Sequence, residues 1–271
     1  MMSLKIINYT LKRALIESKL TIGSWITLAH PAIAEIMARA GFDWLVVDLE
    51  HSVTSIREAG ELIRVIDLCG VAPLVRLSAN DPVQIKRVMD AGAHGVIVPM
   101  VNRPEEARQA VAAVRYPPQG RRGVGLARAQ GYGVSFEEYK NWLARESIVI
   151  VQVEHIQAVE RLDDILRVEG VDGFIVGPYD LSGSLGIPGD FQHPAMVEAL
   201  QEIWRKASQH RAIPGYHVVP PQPEMLVEKH REGYRFLAYS VDMLFLGEMC
   251  RNGLHAIKTH LKAADATGST C

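Results

Sequence analysis

The sequence predicts an α/β protein, a (β/α)8 TIM barrel, and three observations carry that expectation. Short apolar runs alternate with amphipathic helical patterns, which implies parallel strand pairing. Eight such units fit within 271 residues, an ordinary length for a closed barrel of this kind. One phrase also recurs with variation, at Ala40-Gly41 to Asp48, Ala91-Gly92 to Pro99, Glu169-Gly170 to Gly177 and Glu232-Gly233 to Ser240. In each copy a glycine follows a helical pattern, where it can adopt the left-handed conformation that ends a helix. A run rich in Val, Ile or Phe comes next, as a strand buried on both faces requires.

Taken in order, strands are expected near 22–26, 44–48, 73–76, 95–98, 148–154, 173–177, 213–217 and 235–239. Helices are expected near 31–40, 56–69, 81–91, 103–115, 156–167, 194–211, 222–232 and 242–263. Start signals support two of them. Asn80-Asp81-Pro82 places a cap before a first-turn proline, and Asn102 precedes Arg103-Pro104 in the same way. One connection is abnormally long, 116–147, with Pro117-Pro118, Arg121-Arg122 and a short helix near 135–145. Loops of that length usually serve function or an interface. Residues 1–271 are expected to form one barrel domain, with a small polar tail, 263–271, that frays.

Composition excludes several classes. With 29 Lys plus Arg against 31 Asp plus Glu, no basic surface for nucleic acid or a membrane is indicated. The three cysteines share no CxxC spacing, so neither a disulfide framework nor a zinc cluster is expected. No apolar run is long enough for a signal peptide or a membrane span, and the chain reads as cytoplasmic. No GxGxxG follows a strand, and no P-loop motif occurs. No lysine ends an expected strand, which disfavours Schiff-base chemistry.

Barrel enzymes keep their chemistry at the C-terminal strand ends. The ends here present Trp25, then Asp48, Glu50 and His51, then Arg76, Gln152 with Glu154, Asp180, His217 and Ser240. Glu154 and Asp180, from neighbouring strands, suit a hard divalent cation such as Mg2+ or Mn2+. Each is alternatively a helix-capping acid. A histidine side chain can take a proton near neutral pH, which makes His51 the candidate base; the plainer reading is a histidine that only bonds a loop. Arg76 follows a buried strand and suits a carboxylate or enolate oxygen, or else a salt bridge to Asp48 or Glu50. Asp90 on its own reads as an acid at a helix end. Gly177-Pro178-Tyr179-Asp180 offers backbone N–H groups to a small carboxylate, although turns use such residues everywhere. Arg122, in the long connection, either closes over an anionic substrate or is solvated.

In order, Gly23-Ser24-Trp25, Asp48 to His51, Pro73 to Arg76, Asn80-Asp81, Val98 to Met100, Arg115 to Pro118, Arg122 to Gly125, Gln152 to Glu154 and Gly177 to Ser182 resemble the HpcH/HpaI family. The resemblance covers about residues 20–245. It implies a barrel of the phosphoenolpyruvate/pyruvate-binding type and a class II pyruvate aldolase, dependent on Mg2+, Mn2+ or Co2+. It matches Glu154 and Asp180 to metal ligands, Arg76 to the arginine on the keto oxygen, His51 to the catalytic histidine and Asp90 to its paired acid. Gln152, Trp25 and Arg122 are expected at the substrate. Gly177, Pro178 and Tyr179 belong to the carboxylate-holding turn. A homo-oligomer, trimer or hexamer, is implied, with the last helices on a neighbouring subunit. Three departures stand out: Leu49 where many members have Gly, Tyr179 where many have Ala, and Val153-Glu154-His155 in place of Ile-Glu-Thr.

The expected reaction is reversible cleavage of a 4-hydroxy-2-oxo acid to pyruvate and an aldehyde. His51 would take the C4 hydroxyl proton, and the cation and Arg76 would hold the enolate left behind. Oxaloacetate decarboxylation, CoA-thioester cleavage and a catalytically silent binding barrel are the alternatives.

Overall fold

The computed structural model describes residues 10–268. Its eight strands are β1 (Thr21–Ile26), β2 (Trp44–Asp48), β3 (Ala72–Arg76), β4 (Gly95–Val98), β5 (Ile148–Val153), β6 (Gly173–Val176), β7 (Ile213–Val218) and β8 (Phe236–Val241). They close in sequence order into a barrel, and every neighbouring pair is parallel. The helices are α1 (Leu11–Ile16), α2 (Pro31–Arg39), α3 (Ile56–Leu68), α4 (Pro82–Ala91), α5 (Pro104–Val114), α6 (Phe136–Glu146), α7 (Ile156–Glu160), α8 (Leu162–Leu166), α9 (Pro178–Ser184), α10 (Pro194–Ala207), α11 (Pro223–Arg231) and α12 (Asp242–Gly268).

The repeated glycines behave as their position requires. Gly41, Gly92, Gly170 and Gly233 all take φ near +100°, a conformation in which a Cβ would be strained. Asp81 caps α4, accepting from the N–H of Val83. At α5 the cap is not Asn102: the Glu106 carboxylate reaches back to the N–H groups of Asn102 and Arg103. The single helix expected over 156–167 breaks at Arg161 into α7 and α8. Helix α12 continues through 263–268, and the rest of the tail expected to fray lies outside the described residues.

Alternation with period two sorts the strand residues into two cores. Outward residues such as Leu45, Val47, Val75, Val96, Val149 and Val151 pack under the helices. Inward residues fill the barrel: Trp44, Val46, Leu74, Ile97, Ile150, Ile175 and Phe236. Trp44 stacks on Phe236 at 4.0 Å, and a Cβ on Gly23 would fall 2.0 Å from the Trp44 ring. That glycine is therefore the space the indole occupies. Leu15 of α1 joins the inner core.

The ends of the barrel are also tied together. Asp242, the first residue of α12 and 4% exposed, accepts from the N–H groups of Thr27, Leu28 and Met243 and from the Thr27 hydroxyl. It thus clamps the loop after β1 to the end of β8.

Candidate active site

The inward alternation that packs the barrel carries on past the strand ends and turns polar. Trp44 and Val46 of β2 are followed by Asp48, Ala72 and Leu74 of β3 by Arg76, and Ile148 and Ile150 of β5 by Gln152 and then Glu154. Asp48 and Arg76 are partners in register, and they meet as a bidentate pair: Nε to Oδ1 at 2.8 Å and Nη2 to Oδ2 at 2.7 Å. Asp48, 1% exposed, also accepts from the N–H groups of Glu50 and His51. Burial pushes its carboxyl up, but the hydrogen bonds and charge of Arg76 outweigh this and hold it below the usual range. Arg76 Nη1 lies 3.3 Å from Glu50 Oε2, and its guanidinium sits 4.4 Å over the Trp25 ring.

Trp25, His51, Arg76 and Gln152 line one cavity of about 300 Å³, together with Gly177, Pro178, Tyr179, Asp180 and His217. His51 is 60% exposed at the side chain, with Nε2 3.9 Å from Glu50 Oε2. Glu154, 2% exposed, sits beside the wall. Its Oε1 accepts from the N–H of Met100 at 2.6 Å, and its Oε2 contacts Gln152 Nε2. Burial and the charge of Asp180 push the Glu154 carboxyl up, against those two hydrogen bonds. Glu50 is pushed up to about 7, first by burial and then by repulsion from Glu154, Asp48 and Asp180, with Arg76 opposing.

Asp48, Glu50 and Glu154 all act on the Arg76 guanidinium, and Asp180 in turn repels Glu50 and Glu154, so carboxylates outnumber the one cationic group in a partly desolvated mouth. Such an excess is costly unless a cation neutralises it. The donors are oxygens only. A Cβ at Gly177 would approach Glu154 Oε2 at 3.3 Å and Glu154 Cβ at 3.2 Å, so the glycine leaves room beside that carboxylate. The residues therefore fit a divalent cation on Glu154 and Asp180. Among the described residues no group of three or more His, Cys, Asp or Glu side chains forms a metal cage. A cation held by Glu154 and Asp180 would take its remaining ligands from substrate and water, as suits Mg2+.

Two of the expected site residues lie elsewhere. The Arg122 side chain is wholly buried outside the cavity. It donates to Asp90 at 2.6 Å, to the Tyr139 hydroxyl at 2.9 Å and to the Val114 carbonyl, and it lies over the Tyr116 ring. Its aromatic surroundings hold it away from this cavity. Asp90 at the end of α4 pairs with Arg122, and no hydrogen bond or ion pair joins it to His51 among the described residues. His155 caps α7, its Nδ1 accepting from the N–H of Gln157, whereas Tyr179 does stand at the cavity, edge-on to Phe191 at 4.9 Å. Glu50, named in the sequence only as a strand-end acid that could pair with Arg76, and His217, named only as a strand-end polar residue, also reach the site. Period two counted on from Asp48 marks Glu50; His217 was visible as a strand-end polar residue without a role.

Comparisons with known proteins place the chain in a family. Residues 21–247 match the model of the HpcH/HpaI aldolase/citrate lyase family. The chain is 37% identical over 237 residues to a 5-keto-4-deoxy-D-glucarate aldolase of Shigella dysenteriae, covering 87% of this chain and 89% of that one. It is 38% identical over 232 residues to a hydroxypyruvate/pyruvate aldolase of Sagittula stellata, covering 85% and 90%. A crystal structure of an aldolase/citrate lyase family protein from Burkholderia cenocepacia superposes with a TM-score of 0.87 at 32% identity, covering 92% of this chain and 98% of that one. The chain belongs to the HpcH/HpaI aldolase/citrate lyase family.

Proposed function

We propose that the barrel mouth cleaves a 4-hydroxy-2-oxo acid reversibly to pyruvate and an aldehyde, with a divalent cation held by Glu154 and Asp180. The observation that carries this reading is Arg76, fixed by Asp48 inside a cavity of about 300 Å³ amid a surplus of carboxylates. Relatives named as aldolases of hydroxy-oxo acids support it. Mg2+ or Mn2+ suits the oxygen donors best, with Co2+ a further candidate. When bound, the cation supplies Lewis acidity toward the keto acid.

The chain's own residues do the rest. Arg76 donates to the keto oxygen and steadies the charge that develops there. Gln152 and Trp25 bound the keto-acid end. The N–H groups of Tyr179 and Asp180, which open α9 and have no intrahelical acceptor, take the carboxylate. His51 accepts the proton of the C4 hydroxyl. As the C4–O bond becomes the aldehyde carbonyl, the C3–C4 bond breaks and its electron pair passes to C3 and on to the keto oxygen. A proton delivered to C3 then gives pyruvate.

Two further elements complete the proposal. The protein is a homo-oligomer, a trimer or hexamer, supported by apolar residues exposed along α12 (Met243, Leu246, Leu254, Ile257 and Leu261). It works in the cytoplasm, supported by the exposed unpaired thiols of Cys69 and Cys250.

The test is pyruvate release from a panel of 4-hydroxy-2-oxo acids, with and without EDTA, with oxaloacetate as the comparison. Removal of metal should abolish turnover, and its return should restore it. Arg76→Ala and His51→Ala should each lose about 100-fold or more. Full activity in metal-free enzyme, or wild-type rates in both variants, would reject the mechanism.

A further inference from the structure

His217 lies in β7, on the wall of the cavity that holds Arg76, and no step above uses it. Its ring is 5.2 Å from that of Trp25, whose other partner is the Arg76 guanidinium. Nε2 is 3.2 Å from the backbone carbonyl of Ser240. A carbonyl can only accept, so Nε2 carries the hydrogen. Burial, and then the positive charge of Arg76, press the imidazole strongly toward its neutral form, down to about 3. A neutral ring protonated at Nε2 has a bare lone pair at Nδ1. Among the described residues Nδ1 has no partner, and the side chain is only partly buried. The wall therefore shows the cavity a hydrogen-bond acceptor that is fixed in tautomer and uncharged.

The neighbouring wall is also unsatisfied. The indole N–H of Trp25 and Oε1 of Gln152 are buried without protein partners. Polar atoms left in this way favour a ligand that brings its own hydrogen-bonding groups. Arg76 and the Trp25 indole offer only donors, which suits the oxygens of a keto acid. An acceptor such as Nδ1 calls instead for a donor on the ligand. In an oxo acid or aldehyde, which carries no amine, that donor is a hydroxyl.

We propose that His217 is a specificity-determining residue whose Nδ1 accepts a hydrogen bond from a substrate hydroxyl, so that the site favours a hydroxylated substrate over its deoxy counterpart. This rests on the aldolase reading above and deepens it. The hydroxyl comes either from the keto acid, at C3, or from the aldehyde, next to its carbonyl. A site built to bond a hydroxyl discriminates strongly against an analogue lacking it, because its polar group is then left unpaired.

The experiment measures kcat/KM for aldol addition in two pairs, with saturating Mg2+. One pair sets 3-hydroxypyruvate against pyruvate with propanal as the aldehyde. The other sets glycolaldehyde against acetaldehyde with pyruvate as the keto acid. Wild type is expected to favour the hydroxylated member of at least one pair. In His217→Leu that preference, read as the ratio of kcat/KM within each pair, should fall about tenfold or more. His217→Asn keeps a donor for Ser240 and an acceptor for the cavity, and should restore part of the preference. If the leucine variant does not fold, His217→Phe keeps the ring against Trp25 without a nitrogen and is read the same way. The pair that responds identifies which partner carries the hydroxyl. An active wild type whose two ratios are unchanged within twofold in His217→Leu or His217→Phe overturns this inference alone. A metal-loaded wild type that turns over none of the four substrates overturns the aldolase reading, and this inference with it.

Discussion

Arg76 and Asp48 show how one pair serves two ends. The salt bridge on which a merely structural reading of Arg76 rests is present, with two hydrogen bonds below 3 Å. Yet the same guanidinium faces the cavity and keeps Nη1 for Glu50 and a ligand. Asp48 positions the arginine, and Glu50 adds a pH dependence. Its carboxyl stands at about 7 in the folded chain against 4.5 for an exposed glutamate. Between those values the folded state keeps a proton that the unfolded state has released, so stability falls as pH rises through that window. Asp48 has the opposite sign: its lowered carboxyl stabilises the fold above the ordinary carboxylate range, and that contribution disappears as pH falls through the folded value. Scanning calorimetry of metal-free protein should therefore show Glu50→Gln flattening the decline in Tm between pH 5 and pH 7. Added Mg2+ should raise the wild-type Tm more at pH 7 than at pH 5, because it relieves the repulsion that Glu50 feels. An identical pH profile for Glu50→Gln and wild type would refute this assignment.

At the scale of elements, four strands, β2, β4, β6 and β8, were legible because two independent signals agree on them, the glycine that ends the preceding helix and the apolar run that follows. Observed and expected strand ends differ by at most two residues. Helix α9 was not legible, since Gly177-Pro178-Tyr179-Asp180 uses the same residue types as a turn; only the structure shows proline opening a helical turn there. The site divides in the same way. Residues reached by counting inward positions along a strand stand at the barrel mouth: Arg76 and Gln152 line the cavity and Glu154 sits beside it. Arg122 does neither, because loop spacing says nothing about which way the side chain turns, and Tyr116 and Tyr139 hold it away from the cavity. Helix α9 also carries Tyr179, half exposed at the cavity and braced only edge-on by Phe191. Tyr179→Ala should widen the mouth and raise kcat/KM for longer aldehydes several-fold relative to short ones. Its cost in stability should stay within about 1 kcal/mol, as expected for an exposed position. Steady-state kinetics over an aldehyde series of increasing length checks this, and an unchanged profile would remove Tyr179 from acceptor selection.

For the whole molecule, helix α12 is the element that one chain leaves least covered. Met243, Leu246, Leu254, Ile257 and Leu261 recur at spacings of three, four and eight and are at least half exposed, an apolar stripe of the kind that normally meets another surface. Sedimentation equilibrium should return three or six times the 30.0 kDa chain mass, and Leu254→Glu with Ile257→Glu should shift it toward smaller species; a wild-type monomer at micromolar concentration would refute the oligomer. The clamp at Asp242 has a different consequence, one of timing. Its bonds to Thr27 and Leu28 join residues 215 and 214 positions apart, so the ring has no seam until nearly the whole chain is available. Contacts that close so long a loop carry a large entropic cost and tend to form after the folding barrier. Asp242→Ala should then accelerate unfolding while leaving refolding almost unchanged, a chevron with only its unfolding arm displaced. On a ribosome, the first strand of this barrel waits for the last.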